Sequence, residues 1–283
     1  MFCRPSDIQP LFMRLIKNYG GLVRFWLGPE LNVIVSDPKY VETVLLSSST
    51  LRKGPSYKYM WPYLGFGLLS GWGKLWRQQR KLITPCFKTT YLETHLPIFT
   101  AEAQKLVDNL TVQADGKLFN IIHDIAECTH NIVCETLLGV KIDGNDQKHC
   151  SFIHNVEKIY GLIFLRMTKW WYQNEFIYGN SRYFDTHLEV SKQLKEFGMF
   201  LRSKKEQNGK LIKNPVIALD NIIDNNTNEQ EFIGSATTIH TASQESTATI
   251  SSFVLLILGI HKEIQTKVYK EVESIVIFDL QMI

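Results

Sequence analysis

One carboxylate of this chain, Glu245, lies among many hydroxyl side chains, and that combination could do chemistry. Ten serines and threonines occur between positions 235 and 252, just before a strongly apolar run. Hydroxyls compete for helix carbonyls, so a helix of this composition is locally weakened, which often marks a place where a ligand approaches the backbone. In the alternative interpretation, which this stretch taken alone favours, the hydroxyls bond back to carbonyls of their own helix.

A second candidate site lies on a basic segment, residues 74–87. This segment is predicted to form a helix that ends at Pro85. Trp76 and Arg80 are four residues apart, so a helix places them on one face. An indole N–H beside a guanidinium can clamp a buried carboxylate or phosphate. Alternatively, Trp76 belongs to the core and the remaining basic residues form a solvated face. The spacing alone leaves both interpretations open.

Histidines and cysteines recur on the helix predicted for residues 119–138. His123, His130 and Cys134 fall near one face, and Cys128 is close by. These residue types can bind zinc, but their spacing matches no zinc-finger or zinc-protease pattern. Packing of an apolar helix face explains the spacing better, so we predict core packing and no metal site here.

The composition limits the classes of protein to which the chain can belong. With 283 residues, of which 45% are hydrophobic, it can bury a sizeable core. A net charge of +3 is too slight to indicate a nucleic-acid partner. Five cysteines without paired spacing indicate free thiols in a reducing compartment. The longest apolar run, Phe253–Ile260, is short and the N-terminus lacks a signal-peptide pattern, so we expect no transmembrane anchor.

The elements that must position the candidate residues are mostly helices, so we predict a mainly α fold with a small β-sheet. Strand-like runs at 22–28 and 31–36 are joined by a turn, and Asp37-Pro38 begins a helix. Aromatic loops are predicted at 54–70 and 166–178, where they could line an apolar pocket or pack on neighbouring helices. The second could also lie at a membrane interface. Further helices are predicted over 7–19, 93–113, 150–164, 185–206, 221–259 and 261–275.

Six stretches, in order and at suitable separations, resemble segments of one family, the cytochromes P450, and its family-4 branch above all. WRQQRKLITPCF (76–87) resembles W-R-x-x-R-K-x-L-T-P-x-F, and ASQEST (242–247) stands where the family has [AG]-G-x-[DE]-T-[TS]. LGIHKEIQTKVYKEV (258–272) is similar to L-G-x-H-P-E-x-Q-x-K-x-x-x-E. The others are RFWLGPELNVIVSDPKYVETVL (24–45), HDIAECTHNIVCETLLG (123–139) and RMTKWWYQNEFIY (166–178). The collinear set is far more specific than any one member.

The resemblance implies a haem cofactor and a monooxygenase that hydroxylates an apolar substrate, such as a fatty acid or a xenobiotic. Trp76 and Arg80 would donate to a haem propionate, and Ala242 and Ser243 would border the oxygen side of the haem. The implied catalytic residues, which would relay protons, are Glu245, Ser246 and Thr247. The implied substrate-binding residues are Tyr59, Phe66, Leu68 and Trp170. An NADPH-dependent reductase would be the partner, at the cytosolic face of the endoplasmic reticulum membrane.

The chain also departs from the family pattern at three positions of the ASQEST stretch. Ser243 stands where the family has glycine, and its side chain would crowd the haem. Ser246 replaces threonine, which keeps the hydroxyl but loses the methyl group that restricts its rotamer. Ala242 stands where many family-4 enzymes carry the glutamate that bonds to haem, so that covalent link is not expected.

The family's E-x-x-R helix and its haem-binding cysteine loop are expected after residue 275, and no such segment occurs before Ile283. The last cysteine is Cys150, upstream of the hydroxyl-rich helix. Because the axial thiolate drives O–O cleavage in this family, we expect residues 1–283 to form one incomplete domain that is inactive alone. The alternative is a non-catalytic fragment that acts only as a binding or decoy protein, with peripheral membrane contact.

Overall fold

The structure is a computed structural model that describes residues 5–142, 147–207, 217–223 and 229–281. Helices dominate it, which confirms the predicted class. Short 3₁₀ helices occur at Ser48–Thr50, Pro55–Met60, Thr84–Phe87 and Trp170–Gln173. The α-helices are α1 (Pro5–Tyr19), α2 (Pro38–Leu46), α3 (Trp61–Leu64), α4 (Gly73–Ile83), α5 (Thr89–Thr94), α6 (Leu96–Gln113), α7 (Ile122–Thr136), α8 (Gln147–Thr168), α9 (Glu175–Gly179), α10 (Phe184–Gln207), α11 (Ala218–Ile223), α12 (Glu229–Ile260) and α13 (Lys262–Gln281).

The predicted hairpin is confirmed to within a residue or two at each strand end. Strands β1 (Leu22–Leu27) and β2 (Glu30–Val35) pair antiparallel, with Arg24 opposite Val33. The turn between them contains Gly28 at φ +61°, a left-handed conformation that glycine accepts without strain. Helix α1 packs on β1, so the hairpin is covered at one side by the N-terminal helix.

Helix α12 is the element on which the helical part is assembled. Helices α3, α7, α10 and α11 all pack against it. Its N-terminal half is buried and rich in small and hydroxyl side chains, which let neighbouring backbones come close. The main hydrophobic core surrounds this half and is built largely from α7, α8, α10 and α11.

Two glycines hold α3 against α12 by direct backbone contact. Gly65, which follows α3, has φ +65° and ψ 175°, a conformation essentially limited to glycine. A Cβ on Gly234 of α12 would lie 2.8 Å from the Cα of Gly65, closer than such atoms approach. The Thr238 hydroxyl then donates to the Leu64 carbonyl oxygen at 2.9 Å. The aromatic segment 54–70 is therefore fastened to the middle of the helical assembly.

The C-terminal half of α12 presents a continuous apolar surface to solvent. Phe253 is 59% exposed and Ile260 is 63% exposed, and all the apolar residues between them except Leu258, which is partly buried, are also exposed. By length and composition, α12 is the one helix among the described residues that could cross a membrane, with 17% of its apolar window buried. The prediction from the sequence rested only on an unbroken apolar run, whereas uncharged hydroxyl and small residues reduce the mean hydropathy of a helix only modestly. A core helix of a soluble protein can have the same length and composition.

Several predicted boundaries were wrong because tertiary packing decides them. Segment 54–70, predicted as a loop, contains a 3₁₀ helix and α3, and 166–178 likewise contains short helices. The single helix predicted over 221–259 is instead described as α11 and α12, and residues 224–228 lie outside the described ranges. Helix α8 also extends further in both directions than 150–164.

Candidate active site

The hydroxyl-rich centre of α12 has one buried face and one open face. Thr241, Gln244 and Ala248 are buried, and Gln244 donates to the Ala126 carbonyl oxygen of α7 at 3.4 Å. The residues of the ASQEST stretch that lie between these positions turn away from α7, as the helical repeat requires. Ala242, Ser246 and Thr247 are exposed, and Ser243 and Glu245 are partly buried. The predicted site residues of α12 therefore share an accessible surface.

The hydroxyls in this region mostly bond back to their own helix, as the alternative interpretation held. Ser246 Oγ donates to the Ala242 carbonyl oxygen at 2.7 Å, and Thr247 Oγ1 donates to the Ser243 carbonyl oxygen at 2.7 Å. These bonds use the hydroxyl protons and leave the oxygen lone pairs open as acceptors. Both hydroxyls can therefore accept a hydrogen bond from a group that approaches the open face.

Glu245 is the acidic group of this face. Partial burial raises the pKa of its carboxyl above the ordinary value, and the like charge of Glu157 on α8 adds to the effect. A carboxyl with a raised pKa holds its proton closer to neutral pH, which suits a group that both takes and gives protons.

Replacement of Glu245 by glutamine is expected to stabilise the protein at neutral pH and to have little effect near pH 4. A carboxyl whose pKa rises on folding contributes stability that is fully present below its unfolded pKa of about 4.5. That stability is lost as the pH rises through the folded pKa. As the pH rises from 4 to 8, the melting temperature should therefore fall less for Glu245→Gln than for the wild type. Glu263→Gln, on the exposed α13, is the control, and parallel profiles for wild type and Glu245→Gln would contradict the expectation.

Trp76 and Arg80 share one face of α4, as predicted from their spacing. The Arg80 guanidinium carbon lies 5.3 Å from the centre of the Trp76 ring, in cation–π geometry. Trp76 is partly buried and Arg80 is exposed, so the guanidinium remains accessible. Stacking on the indole restricts the arginine side chain, so it loses less entropy when it binds an anion. The indole thus restrains an accessible guanidinium, and the pair is the candidate clamp for a carboxylate.

The four predicted substrate-binding residues do not share one cavity. Tyr59 lines a cavity of about 300 Å³ beside α8 and α9, and Phe66 lines another of about 300 Å³ beside α4 and α12. Leu68 packs against the main core. Trp170 is exposed and lies against Gly28 of the hairpin turn. The structure thus places Tyr59 and Phe66 at cavities and the other two elsewhere.

Sequence reasoning missed the central side chain of the first cavity, Arg166 of α8. Its guanidinium carbon lies 4.5 Å from the Tyr59 ring centre and 4.2 Å from the Tyr178 ring centre. Arg166 also donates to the Glu175 carboxylate oxygen at 2.6 Å. Only 4% of the arginine is exposed. A lone arginine on an otherwise apolar helix face was the available signal. This stacked cation fixes the 54–70 segment to α8 and α9.

The histidines and cysteines of α7 point in different directions. His130 and Cys134 face α12 and are fully buried, as core packing predicts. His123 is exposed. Cys128 turns towards α6, with its sulfur 3.6 Å from the Glu102 carbonyl oxygen. The four residues therefore do not form one cluster.

Comparisons with known proteins agree with this architecture. A sequence model of the family Cytochrome P450 matches residues 2–282. The chain belongs to the cytochrome P450 family. It is 27% identical to cytochrome P450 4c3 of Drosophila melanogaster, over 95% of this chain and 56% of the relative. Identity to cytochrome P450 4c21 of Blattella germanica is 27%, over 97% of this chain and 58% of the relative. Human cytochrome P450 4V2 is 32% identical over 58% of this chain.

The chain thus spans little more than half the length of the first two of these cytochrome P450 relatives, and its match to human 4V2 covers 32% of that relative. The predicted family and its family-4 branch are confirmed. The family implies a haem cofactor, and the described residues fit its rim and one of its faces. The Trp76–Arg80 clamp offers donors of the kind a propionate requires, and the ASQEST face of α12 is open.

The described thiols of this cytochrome P450 chain do not fit the axial position on haem iron. Cys86 and Cys134 are fully buried in the protein core, and burial raises the pKa of both thiols. Cys128 is partly buried, and its thiol pKa is raised by burial to about 11. The sulfurs of Cys86 and Cys134 are enclosed by the core and that of Cys128 faces α6, so none of the three lies on an open surface that a haem face could approach. No chemical step through the iron is therefore derived from these residues.

Proposed function

We propose that residues 1–283 are part of a single cytochrome P450 domain whose complete form is a haem-dependent monooxygenase. The observation that carries the proposal is the open ASQEST face on an otherwise buried helix half. A helix that is buried on the α7 side and open along Ala242, Glu245 and Ser246 leaves room for a flat ligand. The collinear family segments and the match over residues 2–282 support the same conclusion.

In this proposal the haem supplies the iron that activates oxygen, and the chain's own residues bind and orient it and move protons. Trp76 and Arg80 would bind a propionate through N–H donors. Ala242 and Ser243 would border the ring, and the Ser243 side chain would narrow the space that glycine leaves. Glu245 and Ser246 hold ordered water and pass protons along it, with the carboxyl oxygen as the proton store.

The proposed substrate is an apolar molecule such as a fatty acid or a xenobiotic. Tyr59 and Phe66 support this, since both aromatic rings border cavities between the 54–70 segment and the helices. The proposed electron donor is an NADPH-dependent reductase, and the proposed location is the cytosolic face of the endoplasmic reticulum membrane, as is usual for this family. The alternative of a non-catalytic binding or decoy protein gains no specific support from the fold or from the relatives.

The first test is to read the transcript beyond the codon for Ile283 and to express the full reading frame. We expect a downstream F-x-x-G-x-x-x-C-x-G segment and, for the full product, the reduced carbon-monoxide absorbance band of thiolate-bound haem. The 283-residue chain alone is expected to show no such band. Absence of the downstream segment, or a clear band from the chain alone, would contradict the proposal.

Replacement of Arg80 by alanine in the full product is expected to weaken haem retention by roughly tenfold to a hundredfold, because a charge-assisted hydrogen bond contributes about 1.5–3 kcal/mol. Arg77→Ala, on the neighbouring face of α4, is the matched control and should retain haem. Haem content per chain after gel filtration measures both. Equal loss from the two variants would show that Arg80 has no special role.

A further inference from the structure

A buried cluster of metal-ligand side chains lies between α7 and α12, on the opposite side of α12 from the ASQEST face. His130 and Cys134 are one helical turn apart on α7, and His240 of α12 faces them. Their exposed fractions are 2%, 0% and 0%. Sequence reasoning weighed the α7 residues for a metal site but not His240, which is separated from them by more than a hundred residues.

The ligand atoms are already close to the spacing that a bound ion requires. His130 Nδ1 and His240 Nε2 are 2.6 Å apart, and Cys134 Sγ lies 4.0 Å from His130 Nδ1. All three ligand atoms lie within 4.8 Å of one another. Bonds of about 2.0 Å to nitrogen and 2.3 Å to sulfur at trigonal angles place neighbouring ligand atoms about 3.5–3.8 Å apart. The sulfur spacing therefore nearly fits, and the two imidazoles need to separate by about 1 Å.

The charge of the site indicates which ion it would take. Two neutral imidazoles and one thiolate carry one negative charge, which a monovalent cation neutralises. A divalent cation would leave a net positive charge inside the core, and the cluster itself contains no carboxylate to balance it. Thiolate is a soft ligand and imidazole a borderline one, and this set favours Cu(I) over hard cations. Zinc usually adds a fourth ligand, and among the residues that the structure describes no further side chain joins the group.

An aromatic ring of α10 lies beside the cluster. The Phe197 ring of α10 lies 5.7 Å from the His240 ring and 6.3 Å from the His130 ring, measured between centroids. Burial of all three side chains in the core limits the access of solvent and oxidants to an ion held between them.

We propose that His130, Cys134 and His240 form a Cu(I) site that joins α7 to α12. On binding, the Cys134 S–H proton is released to solvent and the sulfur bonds to copper, so charge balances and no electron is transferred. The ring proton of the hydrogen bond between the two imidazoles moves to the other nitrogen of its own ring, so both facing nitrogens are then free to bond to the ion. The ion would join two side chains of α7 to one of α12, and the site would therefore hold the buried half of α12 in place.

The test uses the full 283-residue chain, purified without metal or haem in a mild detergent and kept under reducing, oxygen-free conditions. Cu(I) is supplied as its coloured bicinchoninate complex. The wild type should withdraw one equivalent of copper, and X-ray absorption should show one sulfur and two nitrogen neighbours. Cys134→Ala and His240→Gln should each weaken copper binding by a hundredfold or more. Cys128→Ser and His123→Gln, which change the same residue types outside the cluster, should bind like the wild type.

Thermal melting followed by circular dichroism checks that each variant is folded and adds a second measurement. Copper should raise the melting temperature of the wild type and of Cys128→Ser but not of Cys134→Ala. The proposal is overturned if copper stays bound to bicinchoninate when the wild type is added. It is also overturned if this cluster binds zinc more tightly than Cu(I). It is also overturned if Cys134→Ala keeps the sulfur neighbour, since copper would then be on a surface thiol. Because no haem is present, these outcomes are independent of the proposed monooxygenase function.

Discussion

Replacement of Asp220 by asparagine is expected to lower the free energy of unfolding by about 3–5 kcal/mol, because a buried cation is left without its counter-charge. Asp220 of α11 pairs with Lys205 of α10, and each side chain is 5% exposed. Burial lowers the pKa of Lys205, and the bond to Asp220 acts in the opposite direction. Urea unfolding of the wild type and the variant at pH 7 measures the loss.

The pH dependence and two further variants separate charge from packing in this effect. Without Asp220 the Lys205 pKa falls further below its unfolded value, so the variant should regain stability relative to the wild type as the pH rises towards 10. The double variant Lys205→Met/Asp220→Leu should recover most of the loss, because an apolar pair needs no counter-charge. Glu229→Gln, which breaks an exposed pair with Lys195 on the same helix α10, should cost less than about 1 kcal/mol. A loss for Asp220→Asn no larger than for Glu229→Gln would refute the argument.

Replacement of Gly234 by alanine is expected to lower the free energy of unfolding by about 2–3 kcal/mol, although alanine is the better helix residue by about 1 kcal/mol. The new Cβ would lie 2.8 Å from the Gly65 Cα and 3.1 Å from the Leu64 carbonyl oxygen. Both are backbone atoms, so relief requires α3 to move away from α12. The segment that carries Tyr59 and Phe66 should then loosen, and hydrogen exchange at its amides should become faster.

A second glycine of the same helix provides the control for Gly234. No atom lies within 4 Å of the position of a Cβ on Gly259, so Gly259→Ala should stabilise the helix slightly. Gly65→Ala, on the other side of the contact, should be destabilising as well, because its backbone conformation suits glycine. If Gly234→Ala and Gly259→Ala have the same effect on unfolding, the close contact between α3 and α12 is not needed for stability.

These contacts show how α12 serves two purposes along its length. Helices α3, α7 and α10 pack on its buried face, which carries Gly234, Thr238 and His240. Its open face carries Glu245 and Ser246, the proposed proton relay. Rigid attachment of the buried face holds the open face in one orientation, as the proposed relay requires.

Local sequence was enough to predict several features of the candidate site. Trp76 and Arg80 share a face because side chains four residues apart on a helix are neighbours, whatever surrounds them. The hairpin followed from two short runs of strand-forming residues and a turn. The family followed from collinear motifs, and the relatives confirm it. Each of these depends on backbone sterics, on the helical repeat or on the order of residues.

Only the tertiary structure decided which groups meet across the chain. Gly65 by itself indicates a turn and Gly234 a weak point in a helix, and neither reveals that the two backbones touch. His130 and Cys134 were predicted as core residues, but only the packing of α7 on α12 brings His240 to 2.6 Å from His130. Lys205 and Asp220 are likewise charged residues that a sequence places at the surface. Such contacts depend on which helix faces pair over long separations, and that choice is made by burial of the whole apolar surface rather than by any local pattern.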